Sequence, residues 1–238
     1  MIRAITTSAY YQYVIFQRLK PAMFFTVVFP IFLFIVFSFI WGTPGDMAYY
    51  TFLLTGIAGT TALSDGLFAV GPVVKDYYSS GFIRYVRQMP MPTAHVAGLF
   101  LSRYVVLSGV VLLLTLTGVL LFGLRPSVWE VVRLLGATAL GFTCFSILGL
   151  AVSFLGDKVE KEKGMANILY FVAIFMSPAF YPIDLINPTV ARIGEWLPLT
   201  PVLQLARGEA VNWPCLLIWT AIALPVFLYG LKRKQITR

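Results

Sequence analysis

Long uninterrupted apolar runs, rather than amphipathic stripes, dominate this chain. They extend from about Ala22 to Trp41, Thr51 to Val74 with Asp65 as an interruption, Tyr104 to Phe122, Leu134 to Leu155, Met165 to Tyr181, and Pro214 to Leu231. Each is close to the roughly twenty residues a helix needs to cross hydrocarbon. A barrel strand would instead alternate in polarity over about ten residues, and Val110 to Leu114 followed by Val119 to Phe122 does not. The pattern predicts an all-α integral membrane protein of six transmembrane helices, a single transmembrane domain over residues 1–238. Residues 1–20 form an interfacial helix, 22–231 the six-span region and 232–238 a basic tail.

Composition removes the soluble alternative. Of 238 residues, 59% are hydrophobic and 12% charged, with a mean hydropathy of +0.84, whereas soluble domains carry about 25% charged residues. The charge also sorts by membrane side. If the amino terminus is cytoplasmic, fourteen of the eighteen basic residues fall in inner segments: Arg3, Arg18 and Lys20; Lys75, Arg84, Arg87 and Arg103; Lys158, Lys161 and Lys163; and Lys232, Arg233, Lys234 and Arg238. Four inner acids reduce that side to +10, the outer segments total −1, and Asp65 completes the formal +8. The positive-inside rule therefore predicts both termini cytoplasmic in a multi-pass protein of the inner or plasma membrane. Charge arranged in this way is explained by the lipid bilayer, and no nucleic acid partner is expected. Cys144 and Cys215 fall within spans, and neither they nor the single His95 have metal-ligand spacing.

The connections carry the functional information. The segment Arg3 to Lys20 places Tyr10, Tyr11, Tyr13, Val14 and Phe16 between basic ends, which suits an amphipathic helix lying among headgroups. That helix reads either as an anchor or as a mechanical link between a cytoplasmic partner and the first span. After the second span, Phe82, Tyr85, Val86 and Met89 recur at helical intervals and would share one face, with Pro90 and Pro92 as a stop. This short cytoplasmic helix is a handle for a partner protein or a plain membrane-surface helix. Gly156 to Gly164 is a charge cluster that reads as a solvated turn or a second partner contact. Between the last two spans, prolines at 178, 182, 188, 198 and 201 divide an apolar segment. Irregular backbone survives at membrane depth only where protein or water covers it, so short re-entrant or interfacial helices are expected there, capping an outer vestibule.

These features, in this order, resemble the type 2 permeases of ABC exporters, most closely the daunorubicin-resistance drug-export branch. The residues that carry the resemblance are Phe29-Pro30, Gly81-Phe-Ile-Arg-Tyr-Val-Arg-Gln-Met-Pro-Met91, Asn167, Ser177-Pro178, Pro182, and Leu197-Pro-Leu-Thr-Pro-Val202 with Arg207-Gly208. The resemblance implies a subunit that pairs with a second copy, usually as a homodimer, and binds two ABC ATPase subunits, which carry the ATP and Mg. It makes residues 81–92 the coupling helix, with Gly81, Phe82, Arg84, Tyr85, Arg87, Met89 and Pro90 toward the ATPase, and the amino-terminal segment its connecting helix. The substrate path it implies runs between the first, second and fifth spans, with Phe29, Pro30, Asp65, Asn167, Ser177 and Pro178 as lining candidates and Pro182, Pro198, Pro201 and Arg207 as outer-gate candidates. The acidic residue usual just before the loop glycine is represented by Asp76, five positions ahead of Gly81. This sequence has no Gly-x-x-x-x-Gly-Lys-Ser/Thr phosphate cradle, so the ATPase is expected on a separate chain and this chain is not expected to be an enzyme by itself or to bind a cofactor.

Asp65 is the carboxylate within a span, where insertion costs about 2.5–3.5 kcal/mol. Three roles remain open for it: meeting a cationic substrate in a watered cavity, satisfying local backbone or hydroxyl groups at a helix break, or carrying protons or sodium. Gly56 and Gly59, and Ala137 with Gly141, are small residues that let helices approach, more often within a subunit than between subunits. Phe24, Phe25, Phe32, Phe34 and Phe37 could line a path or face lipid. Arg207 could snorkel or pair with Glu209 or Glu195. The expected function is ATP-driven export of a hydrophobic or amphipathic compound: a drug, a peptide antibiotic or a lipid-linked molecule. Sodium extrusion by a related permease and a proton-coupled secondary transporter that uses Asp65 are the alternatives. A membrane enzyme is disfavoured because the acids and His95 form no constellation.

Overall fold

The computed structural model describes residues 2–43, 45–88, 92–155 and 159–236, and among them the regular structure is helical throughout. Helix α1 (Ile2–Arg18) is followed by α2 (Lys20–Trp41), α3 (Met47–Ser79), α4 (Phe82–Gln88), α5 (Pro92–Phe122), α6 (Val128–Leu155) and α7 (Val159–Met176). Short helices α8 (Ile183–Ile186), α9 (Pro188–Gly194) and α10 (Leu199–Arg207) precede the last long helix, α11 (Trp213–Ile236). Among the described residues, five helices, α2, α3, α5, α6 and α11, are long and apolar enough to cross a bilayer. The chain is an all-α integral membrane protein.

Helix α3 is the axis of the bundle. Almost every residue from Leu53 to Leu67 is buried, which a helix with a single apolar face could not achieve. The small residues make this possible. A side chain on Gly56 would run into the Ala179 backbone, one on Gly59 into Leu203, and on α6 one on Gly141 into Val202. Ala137 is buried in the adjoining cluster with Leu53, Leu54 and Ile57 of α3. The small-residue pairs thus pack spans within the subunit.

Prolines shape the two membrane helices that begin the fold. In α2, residues Phe24–Val28 form a π turn just before Pro30, with the Phe29 amide donating to the Phe24 carbonyl five residues back. In α3, Gly66–Val70 forms the same kind of turn before Pro72. A proline ring has no N–H and clashes with the carbonyl four residues before it, and widening the preceding turn relieves that clash.

The helix ends are capped conventionally. Asp46 Oδ1 accepts from the Tyr49 amide at the start of α3. Ser127 and Glu130 form a reciprocal box at the start of α6, at 2.7 and 3.2 Å. Asn187 caps α9 through the Thr189 and Val190 amides.

Several boundaries differ from the sequence expectation. Helix α5 begins at Pro92, twelve residues before the expected Tyr104, because a proline is accommodated at the first helical position; hydropathy marks where the hydrocarbon begins and not where the helix does. Helix α7 ends at Met176 rather than Tyr181. Its start pairs Glu162 with Lys75 of α3, and its end lies beside Gly56, where the 177–179 backbone packs. It therefore runs beside only part of α3. The remaining depth at that end is filled by the folded-back segment, with α10 packed against α3 and α6, as the prolines led one to expect.

Candidate functional site

At one end of the bundle, α4 is held in a knot of polar and aromatic groups. Gly81 enters α4 with φ of +76°, a left-handed conformation that a residue with a side chain adopts at a cost. Phe82 then stacks near Tyr77 at 5.1 Å and His95 at 6.1 Å. Gln12 of α1 donates to the Tyr77 hydroxyl at 3.0 Å and lies 3.3 Å from His95 Nε2. Ser8 Oγ lies 3.3 Å from His95 Nδ1. Four elements, α1, α3, α4 and α5, thus meet around His95. The first span's amphipathic predecessor turns its Ala9, Gln12 and Phe16 face inward and leaves Tyr10 and Tyr11 exposed.

Within α4, Val86 is buried, while Arg84 and Tyr85 are exposed, Tyr85 by 67%. The expected shared face of Phe82, Tyr85 and Val86 is corrected here: Val86 and part of Phe82 form the anchored side, and Tyr85 points away with Arg84. Met89 and Pro90 lie outside the described residues, as does the side chain of Arg87.

The second cluster lies deep in the bundle. Asp65 is buried and accepts a hydrogen bond from Arg103 Nη1 of α5 at 3.1 Å. The Arg103 guanidinium in turn sits 4.7 Å from the centre of the Phe16 ring of α1, within cation–π range. The positive-inside pattern puts Arg103 in a cytoplasmic connection. Because α5 starts at Pro92, Arg103 is instead about 16 Å along the helix at 1.5 Å per residue and is 9% exposed. The partner of Asp65 is therefore a side chain on another helix, a role not among the three weighed for it. A buried acid without a local partner was the signal available, and the nearest basic residue on a neighbouring span was the answer.

The third cluster closes the opposite end. Ser177 is fully buried and accepts from Thr200 Oγ1 at 3.1 Å. Arg207 Nη2 donates to the Pro178 carbonyl at 2.6 Å, Nε donates to Thr55 Oγ1 at 3.1 Å, and the guanidinium lies 3.9 Å from the Phe52 ring centre. Arg207 thus joins α10, α3 and the 177–181 turn through neutral oxygens and a ring. Pro198 and Pro201 are buried at the start of α10, whereas Pro182 is exposed. Trp41, Tyr49, Phe180, Tyr181 and Pro182 surround a cleft of about 380 Å³ at this end.

The candidate path residues are distributed unevenly. Pro30 is buried, Asn167 exposed and Pro178 half-buried. Phe24, Phe25 and Phe32 point outward, but Phe34 is in the core against Phe122. On α7, Ile168, Phe171 and Phe175 form a further exposed apolar face. Both cysteines are buried free thiols, and no His, Cys, Asp and Glu cluster suited to a metal occurs among the described residues.

The family model described as ABC-2 type transporter matches residues 3–209, which takes in every cluster above. The chain belongs to the ABC-2 type transporter family. It is also 24% identical over 233 residues, 92% of each chain, to the "Putative transport permease YvfS" of Bacillus subtilis (strain 168). This ABC-2 family member is accordingly a multi-pass membrane permease, and members of the family work with ABC ATPase subunits.

Proposed function

We propose that the chain is the membrane-spanning subunit of an ATP-driven exporter for a hydrophobic or amphipathic compound. Two separate ATPase subunits, carrying ATP and Mg, dock on α4 from the cytoplasm, and a second copy of the permease completes the path in a homodimer. The observation that carries this reading is the construction of α4. Its Phe82 ring packs on Tyr77 of α3 and His95 of α5 and its Val86 is buried, while Arg84 and Tyr85 are presented outward. A load applied to that surface is transmitted to membrane helices through packed rings rather than lost in a loop.

The aromatic cleft beside Trp41 and Phe180 supports an apolar or amphipathic cargo. The exposed faces of α2 and α7, with Asn167 and the half-buried Phe29, supply the surface that a second copy would enclose. Both termini are read as cytoplasmic, in the inner or plasma membrane. Sodium extrusion or proton coupling through Asp65 would require that carboxylate to part from Arg103, so the ion pair supports a framework role for it.

The test is co-expression with a candidate ABC ATPase, followed by co-purification and reconstitution. Arg84→Glu with Tyr85→Ala should weaken ATPase association by about tenfold, roughly 1.4 kcal/mol, and reduce compound-stimulated ATP hydrolysis in proportion, with unchanged membrane insertion. Full association with the double variant, or transport driven by a proton gradient without ATP, would refute the proposal.

A further inference from the structure

A cavity of about 910 Å³ lies at the end opposite α4, between the start of α3, the end of α5, the start of α6 and the end of α10. That volume is in the range of about 300–1,000 Å³ typical of small-molecule sites. None of the path candidates in α2 or α7 lines it; it shares Arg207, Thr55 and Phe52 with the outer cluster. Phe52, Leu54, Leu124 and Leu134 give it apolar walls.

Its charged groups are arranged unequally. Arg125, Arg133 and Arg207 line the cavity, against Glu130 and Glu209. The Glu130 carboxylate is engaged with the Ser127 amide in the cap of α6. Arg133 is held in place by its Nε, which donates to the Ala206 carbonyl at 3.2 Å, and its guanidinium lies against Gly208 with Glu130 as a nearby countercharge; its planar fork suits phosphate or carboxylate. Arg125 is exposed at the rim and makes no hydrogen bond to the described residues. An apolar hollow open to one side, with a guanidinium fixed within and another at its lip, matches a molecule that has an anionic head and an alkyl tail.

We propose that this cavity is a binding site for an anionic phospholipid, with the phosphate held by Arg133 and Arg125 and an acyl chain laid along Phe52, Leu124 and Leu134. The site needs neither the ATPase nor transport, so its failure would leave the transport reading intact. Arg207 also donates to the Pro178 carbonyl, which gives an occupant direct contact with the residue that braces the 177–181 turn.

The experiment measures binding of dioctanoyl phosphatidylglycerol, dioctanoyl phosphatidylcholine and inorganic phosphate to the full chain, purified in neutral detergent. Phosphatidylglycerol should bind at least about tenfold more tightly than the other two, and Arg125→Gln with Arg133→Gln should remove that preference, as loss of charged hydrogen bonds to phosphate predicts. Thr51→Trp, which places a large ring in the cavity, should weaken phosphatidylglycerol in the same way. Should the double variant fold poorly, Arg125→Gln alone should still weaken phosphatidylglycerol about threefold, since that rim charge supports no other contact. Equal binding of the two lipids, phosphate binding as tight as phosphatidylglycerol, unchanged affinity in either Arg variant, or exclusion of lipid by a second copy seated over the cavity would each overturn the proposal.

Discussion

Replacing Asp65 or Arg103 singly should damage the permease far more than replacing both. The pair is desolvated, with side chains 2% and 10% exposed, and joined at 3.1 Å. Removing one member of such a pair leaves an uncompensated buried charge and costs about 3–5 kcal/mol, while exchange of both for apolar residues of similar volume is near neutral. Arg103→Met also forfeits the Phe16 contact, about 1–2 kcal/mol for a desolvated cation–π pair. Asp65→Asn keeps an oxygen for Arg103 but not its charge, so its cost should lie at the lower bound, about 3 kcal/mol. The Asp65→Leu, Arg103→Met double variant should fall within about 2 kcal/mol of the parent, the residue being the lost ring contact. The coupling energy is then at least about 3 kcal/mol, more than a hundredfold in an unfolding equilibrium. Denaturant titration of the purified protein in mixed micelles, run as a double-mutant cycle, measures it. Additive losses, with the double variant as unstable as the sum of the singles, would refute the ion pair as the source of the stabilisation.

Five further substitutions test the frame around that pair. Gly56→Leu should destabilise by at least about 1–3 kcal/mol through overpacking, because its side chain would occupy the Ala179 backbone; Gly136→Ala, which has open space around it, should be neutral or stabilising by up to about 1 kcal/mol, and thermal melting in detergent separates the two. Lys75→Gln and Glu162→Gln should each lower the melting temperature and the double variant should recover much of the loss, since the two are paired and mostly buried; no recovery would dismiss the pair as incidental. Pro72→Ala returns an N–H for the Phe68 carbonyl and should stabilise α3 by about 1–3 kcal/mol while slowing the proposed ATP-driven transport, and a variant that changes neither would remove the π turn from any functional account.

Hydropathy located the five helices that are long and apolar enough to cross a bilayer among the described residues, since burial in lipid demands length and apolarity that few other structures need, whereas the sixth expected span, Met165 to Tyr181, falls on α7, which is not one of the five. What it concealed follows from the same cause. A helix continues past its apolar stretch wherever backbone hydrogen bonds can, so α5 reached back to Pro92 and carried Arg103 from an expected loop into the bundle. His95 seemed isolated because its partners Ser8 and Gln12 lie more than eighty residues away, beyond any local pattern. For Arg207 charge suggests snorkelling or a pair with Glu209 or Glu195, and its guanidinium donates to the Pro178 carbonyl and the Thr55 hydroxyl. The prolines at 30 and 72 were visible as residues, and their effect on the preceding turn was not.

Helix α1 gains its meaning from the spacing of three residues. Ser8, Gln12 and Phe16 recur every four positions and so share one face, and each makes a different kind of contact with the bundle. The first two hold His95 and Tyr77 at the level of α4, and the third holds Arg103 at the level of Asp65. An anchor lying among headgroups would need only the opposite face, where Tyr10 and Tyr11 are exposed. The inward face instead makes α1 a rod between the knot around α4 and the ion pair of α3. Asp65 is the last residue before the Gly66–Val70 π turn, where wider hydrogen-bond geometry and the missing amide of Pro72 leave the helix least resistant to bending. If an ATPase displaces α4, the displacement therefore reaches α3 at the point where the smallest force would change its course.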